Sequence, residues 1–169
     1  MGTVNHCIDG TEFVSTSGRT APVFDPALGT ETKRVALANA NEIAAAINSA
    51  KKAFPEWRDT SLAKRQAIVF KFRELLNNKK GELAEIITSE HGKVLSDALG
   101  EITRGQEVVE FAVGIPHLLK GFYSENVSTG VDVYSTRQPL GVVGIISPFN
   151  FPAMVPMRSE EHTSELQSH

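Results

Sequence analysis

One cysteine, Cys7, stands in a chain of 169 residues. No internal disulfide can form from it, and a zinc site built on several cysteines is excluded. Positive charge is not in excess either. The 17 Lys and Arg against 20 Asp and Glu leave a net charge of −3, which argues against a nucleic-acid binder, whose phosphate contacts need a basic face. No apolar run approaches the roughly 18 residues that a membrane span requires. Met1 to Phe13 carries neither the charged-then-apolar pattern of a signal peptide nor an Arg- and Ser-rich transit peptide. Internal repeats and low-complexity tracts are missing as well. What remains is ordinary globular material, 41% hydrophobic with 13 Gly, long enough to bury a core. The expectation is a soluble protein of a reducing compartment: cytoplasmic, or of the mitochondrial matrix if a eukaryotic transit peptide precedes it.

The first third reads as a strand-and-turn arm. Asp9-Gly10 is a tight-turn signal between short β-like runs over Cys7 to Val14. Asp25-Pro26-Ala27-Leu28-Gly29 is a second turn, since proline presets φ and glycine supplies positive φ. Thr32 to Ala38 suits a short strand. A helical body follows. Asn41-Glu42 opens a first helix with Ile43, Ile47, Ala50 and Phe54 on one stripe, and Pro55 is expected to stop it. Ser61 caps a second, whose stripe is Ile68, Phe72, Leu75 and Leu76. Asn77 to Gly81 breaks that helix, and Leu83, Ile86 and Ile87 form a third that ends at His91-Gly92. A fourth covers Leu95 to Val113, with Leu99, Ile102 and Val109 on one side. Gly100 and Gly105 lie inside it, each about 1 kcal/mol worse than Ala, and both would let another backbone pack closely.

Beyond Pro116 the period changes to two, with Val131, Val133 and Ser135 alternating against Asp132, Tyr134 and Thr136. That predicts an exposed or edge strand. Leu140 to Ile146 is a continuous apolar run of the kind found in a parallel strand buried on both faces. It leads into Ser147-Pro148-Phe149-Asn150-Phe151-Pro152, and in open α/β sheets ligands sit at the carboxyl ends of strands. The class is therefore α/β.

Several residues invite a chemical role. Cys7 has no basic cluster around it to lower its pKa, so it reads as a small residue packed in an N-terminal strand. His91 reads as a polar helix terminus, and His117 has no sequence partner. Gly141-Val142-Val143-Gly144 lacks the third glycine of a phosphate loop. Arg104 sits among glycines on a helix. An inward arginine needs an anionic partner, and spacing alone favours an ion pair with Glu101 or Glu107. Asn150, held between Phe149 and Phe151 in a loop stiffened by Pro148 and Pro152, presents a side-chain N–H donor that suits an oxyanion. The competing reading is an asparagine satisfying a turn backbone.

Ile145 to Pro152 resembles the strand and loop of the aldehyde dehydrogenase superfamily, with its Pro-aromatic-Asn-Phe-Pro motif. Phe149 stands where most of the superfamily has Trp, a variant similar to the methylmalonate-semialdehyde dehydrogenase branch. Glu90-His91-Gly92-Lys93, Asp97 to Glu101, Arg104-Gly105, Val108-Val109-Glu110 and Ala153 to Met157 agree with the same branch in order and spacing. The likeness runs from about Asn5 to Met157. It implies the N-terminal fragment of the aldehyde dehydrogenase fold: a strand and turn arm, a helical body and the first strand of a Rossmann-like cofactor domain, with residues 1–157 an incomplete NAD-binding domain.

The resemblance further implies oxidation of malonate or methylmalonate semialdehyde with NAD, and acyl transfer from a cysteine thioester to coenzyme A. Carried onto this chain, Asn150 is the oxyanion donor, Ser147 and Phe149 lie against NAD, and Arg104 holds the substrate carboxylate as a planar bidentate cation. Residues 127–137 supply a strand pair that bridges subunits of a homo-oligomer, dimer or tetramer. The nucleophilic Cys and the ribose-binding residues belong beyond Met157, and Cys7 does not sit in the nucleophile motif, so the chain alone is expected to be inactive. The alternatives are a non-acylating dehydrogenase of another semialdehyde and a non-catalytic interaction module. Arg158 to His169 departs from all that precedes it. It reads as an adapter-like tail, its His162 and His169 lacking partners at ligand spacing.

Overall fold

The computed structural model describes residues 2–158; the sequence reading of His162, His169 and the tail from 159 onward lies outside the described residues. Strands β1 (Gly2–Val4), β2 (His6–Ile8), β3 (Thr11–Phe13), β4 (Thr20–Phe24) and β5 (Glu31–Ala36) come first. Helices α1 (Ala40–Asp59), α2 (Leu62–His91), α3 (Leu95–Val113) and α4 (Ile115–Leu118) follow, then β6 (Tyr123–Ser128) and β7 (Val131–Tyr134). Residues 154–158 are again helical. The chain divides into two compact units, Met1–Asp59 with Gly81–Gly100, and Thr60–Lys80 with Glu101–His169.

In the first unit, β2 and β3 pair antiparallel with His6 opposite Phe13 and Ile8 opposite Thr11. Asp9 and Gly10 both take positive φ, 56° and 70°, the backbone a two-residue hairpin turn needs to match strand twist. β5 lies between β1, which runs parallel to it, and β4, which runs antiparallel. The turn before β5 closes on Asp25, whose Oδ1 accepts the N–H groups of Ala27 and Leu28 at 2.7 and 3.1 Å. Ala36, Ala84, Ile87 and Ala98 are buried in this unit.

Where α1 begins is decided by a capping box. Asn39 Oδ1 accepts the Glu42 N–H at 3.0 Å, and the Glu42 carboxylate accepts the Asn39 N–H at 2.9 Å. Asn39, not Asn41, is thus the cap. The same carboxylate, 4% exposed, also accepts from the Thr16 N–H at 2.6 Å and the Ser15 hydroxyl at 3.0 Å. These donors, the Asn39 N–H foremost, hold its pKa down to about 2 against an ordinary 4.5. One side chain therefore starts the first helix and fastens the strand arm to it.

Two helix boundaries differ from the sequence reading. α1 runs through Pro55 to Asp59; proline's φ is helical, and a single turn follows it. α2 passes through Asn77 to Gly81 without a break. Leu76 before that stretch and Ala84 after it are both buried, so burial on either side outweighs a propensity penalty of about 1 kcal/mol at Gly81. The helix ends where expected, at His91, with Gly92 at φ +79° donating its N–H to the Thr88 carbonyl. The stripes assigned to the core also behave differently. Ile43 and Ile47 of α1, and Ile68, Phe72 and Leu75 of α2, stay exposed.

The second unit buries Leu76, Ile102, Val109, Ala112 and Met154. Its part of α2 is tied to α3 by polar contacts. Arg73 donates to Glu110 Oε1 from Nε at 2.7 Å and Nη2 at 2.6 Å, Gln106 donates to the same oxygen at 3.0 Å, and Gln66 donates to the Val113 carbonyl at 2.8 Å. β6 and β7 form an antiparallel hairpin with a bulge, exposed at every residue. Asp132 holds the bulge, accepting from the Asn126 N–H at 2.9 Å and the Tyr123 hydroxyl at 2.7 Å. No strand forms over Leu140 to Ile146 among the described residues. A strand apolar on both faces needs a neighbour on each edge to satisfy its backbone, and among the described residues no strand pairs with this run; residues 142–146 are exposed.

A carboxylate whose pKa is depressed in the folded state stabilises that state above its unfolded pKa and loses the contribution as pH falls through the folded value. For Glu42 the window lies between 4.5 and about 2. Urea midpoints measured across this range are expected to fall as pH falls. In Glu42→Gln the midpoint at neutral pH is lower and its decline across the same window is shallower.

Candidate active site

The loop after the unpaired apolar run turns at residues 149–150 and is stiffened by prolines on both sides. Ser147 and Asn150 are exposed, Phe149 is 86% exposed and Ile146 fully so. Beyond Pro152 the situation reverses. Phe151 and Ala153 are half-buried, and Met154 is buried. The loop therefore has an exposed side, carrying Ser147, Phe149 and Asn150, and a gripped side.

The grip comes from α3. Glu101 is fully buried there, and its Oε1 accepts the backbone N–H of Ala153 at 2.8 Å and of Met154 at 3.1 Å. These are the leading amides of the helical segment 154–158, groups that have no partner within their own helix. One turn along α3, a Cβ placed on Gly105 would stand 2.7 Å from Met157 Sδ and 3.4 Å from Met154 Cα. The glycine admits the close approach expected of it. Burial, two hydrogen bonds and a missing side chain thus fasten the end of the loop to one face of α3.

Arg104 lies on the same helix, three residues after Glu101, with its side chain exposed. The ion pair expected from spacing, with Glu101 or Glu107, is not present among the described residues. Glu101 points into the unit and serves backbone amides, which leaves the guanidinium to solvent or to a ligand. Asn150 and Arg104 therefore belong to two pieces of chain joined through Glu101. Cys7 is in β2 and exposed, not packed as its sequence setting suggested. His91 ends α2, and His117 is exposed in α4.

Sequence reasoning singled out Glu101 solely as a partner for Arg104 and missed its role at the loop. A signal was available. Ala98, Ile102 and Val109 mark the buried face of α3, and Glu101 stands three residues after Ala98, on that same face. A carboxyl group there has to find donors inside the fold.

For a dinucleotide, Ser147 and Phe149 offer one open wall. Phosphates are usually held by free amides at a helix N-terminus and a glycine-rich turn. Here the amides of Ala153 and Met154 are already taken by Glu101, and Gly141 to Gly144 lies exposed or half-exposed and does not lead directly into a helix. The described residues include no set of open amides suited to its phosphates.

Comparison with known proteins identifies the family and the fold. The aldehyde dehydrogenase family model matches residues 13–161. A malonate-semialdehyde dehydrogenase of Pseudomonas aeruginosa is 47% identical over 157 residues, covering 93% of this chain and 31% of that protein. The acylating, mitochondrial methylmalonate-semialdehyde dehydrogenase of Arabidopsis thaliana is 46% identical over 154 residues, 91% of this chain and 25% of its own length. Among solved structures, a Sinorhizobium meliloti protein assigned as a methylmalonate-semialdehyde dehydrogenase, in complex with NAD, superimposes with a TM-score of 0.88. It shares 48% identity across 92% of this chain and 32% of its own. This chain spans about a third of the length of the Pseudomonas and Sinorhizobium proteins and a quarter of the Arabidopsis one. With a family match over most of its residues and the superimposable fold, the chain belongs to the aldehyde dehydrogenase family.

Proposed function

We propose that this chain is the N-terminal part of an NAD-dependent, CoA-acylating malonate- or methylmalonate-semialdehyde dehydrogenase. The observation that carries the reading is the loop itself: Asn150 on its exposed side, in a loop anchored at Ala153 and Met154 through Glu101 to the helix that bears Arg104. The substrate has an aldehyde at one end and a carboxylate at the other. Arg104 binds the carboxylate, for which a guanidinium fork is the matching donor pair. Asn150 donates a side-chain N–H to the oxygen of the aldehyde as negative charge develops on it. Ser147 and Phe149 form the wall against NAD, which accepts hydride when bound. The attacking thiolate and the rest of the cofactor site lie outside this chain, since Cys7 is its sole cysteine, and coenzyme A takes the acyl group. Residues 127–137 include β7, which with β6 makes a wholly exposed hairpin that carries Val127, Val131, Val133 and Tyr134 on its surface. That surface supports the reading of a subunit-bridging strand pair in a homo-oligomer.

Three outcomes follow. The chain alone, titrated calorimetrically with NAD, shows no saturable heat at micromolar cofactor; saturable binding there would mean that a more complete cofactor site is present. Joined to the downstream two thirds of the Pseudomonas aeruginosa relative, it forms NADH from malonate semialdehyde only when coenzyme A is supplied. Release of free acid without coenzyme A would replace the acylating reading by a hydrolytic one. In that same enzyme, Arg104→Ala raises KM for malonate semialdehyde roughly ten- to a hundredfold, as expected for a lost charge-assisted hydrogen bond of about 1.5–3 kcal/mol. Its kcat stays close to the unsubstituted value.

A further inference from the structure

We propose that Met157 is a reversible oxidation site, a thioether latch on α3 that hydrogen peroxide opens. The inference concerns the chain itself and does not draw on the activity proposed above. Met154 and Met157 are the methionines beyond the N-terminus, three residues apart on the helical segment that packs against α3. Met154 is buried and Met157 half-buried, so peroxide meets Met157 first. Its thioether lies on the bare backbone of Gly105. A Cβ at that position would stand 2.7 Å from Met157 Sδ and 3.5 Å from Cε. The sulfur thus fills the space that any other residue at 105 would take with its own side chain, and it holds the segment by contact alone.

The chemistry needs only the peroxide. A sulfur lone pair attacks one peroxide oxygen, the O–O bond breaks, that oxygen stays on Sδ, and the other leaves as water with both protons. A flexible apolar side chain becomes a polar sulfoxide whose oxygen is a hydrogen-bond acceptor. The α3 groups around the slot offer that oxygen no donor. Gly105 has no side chain, and its N–H points along the helix to the carbonyl one turn back. Its helix neighbours Ile102 and Val109 are apolar and buried, Gln106 donates its amide group to Glu110, and Glu101 is itself an acceptor. An unpaired polar group in such a place is unfavourable, so the oxidised side chain leaves the slot. The hydrogen bonds from Ala153 and Met154 to Glu101 remain. They open more often, because one of the contacts that keeps the segment closed is gone.

The test uses the 169-residue chain carrying Cys7→Ser, which removes the exposed thiol as a competing target. Under hydrogen peroxide, Met157 is expected to gain one oxygen well before Met154, as read by peptide mass mapping. Amide exchange at Ala153 and Met154 then quickens roughly tenfold or more, and methionine sulfoxide reductases restore the original rate. Met157→Leu, apolar and of similar size, keeps slow exchange and ignores peroxide. Gly105→Ala pushes the thioether out of its slot by contact; its Met157 oxidises faster, and its two amides exchange quickly with no oxidant present. Met154 oxidised as fast as Met157 would overturn the inference. So would a sulfoxide at Met157 that leaves the two amides unchanged, or a peroxide response that persists in the Leu variant. Should peroxide unfold the chain, Met157→Gln is compared with Met157→Leu without oxidant. Faster exchange at the two amides in the Gln variant is expected, and equal exchange in both would overturn the inference.

Discussion

A carboxyl group removed from water must be given donors by the chain around it, because nothing else in a packed interior will hydrogen-bond to it. Among the described residues this requirement is met twice, once in each compact unit, and both times the donors include a backbone amide at the start of a helix. Glu42 gathers the N–H groups of Asn39 and Thr16 and joins the strand arm to α1. Glu101 gathers those of Ala153 and Met154 and joins the asparagine-bearing loop to α3. In both places the acidic side chain turns a local need, unpaired amides, into a long-range connection. Glu42 reaches 26 residues back to Thr16 and Glu101 reaches 52 residues forward to Ala153.

That division of labour suits a site in which the chemistry sits on a loop and the rigidity on a helix. Asn150 and its neighbours Ser147 and Phe149 are exposed on that loop, as the roles proposed for them require. Exposure of that kind is costly in precision unless the loop is held at one end. Pro148 and Pro152 remove backbone freedom, Glu101 removes displacement, and Gly105 lets the following helical segment lie close to α3.

The same chain leaves much apolar surface in view. Ile68, Phe72 and Leu75 run along one face of α2, and Ile43 and Ile47 along α1, each more than a third exposed. The apolar run from Leu140 to Ile146 has no strand beside it among the described residues. The periodicity that marks these residues is real, but it states a need for burial and not its fulfilment. A chain that covers about a third of the Pseudomonas and Sinorhizobium proteins can carry faces whose partners are not among its own residues.

What could be read in the amino-acid order was whatever depends on near neighbours. Asp9-Gly10 takes positive φ because few residues other than Gly, Asn and Asp tolerate it, so the first hairpin was legible, as were the turn at Asp25, the end of α2 at Gly92 and the extent of α3. The loop motif from Ser147 to Pro152 was legible too, since its proline and asparagine spacing is itself a local pattern. Local rules failed where distant burial outweighed them: α2 continues through Asn77 to Gly81 because Leu76 and Ala84 are buried on either side. They failed again at Glu101, whose sequence neighbour Arg104 looked like its partner while the donors it uses lie some fifty residues on. A pattern along the chain records which groups need company; which groups provide it is decided when the chain folds back on itself, because satisfying a buried oxygen depends on distance in space and not on separation in sequence.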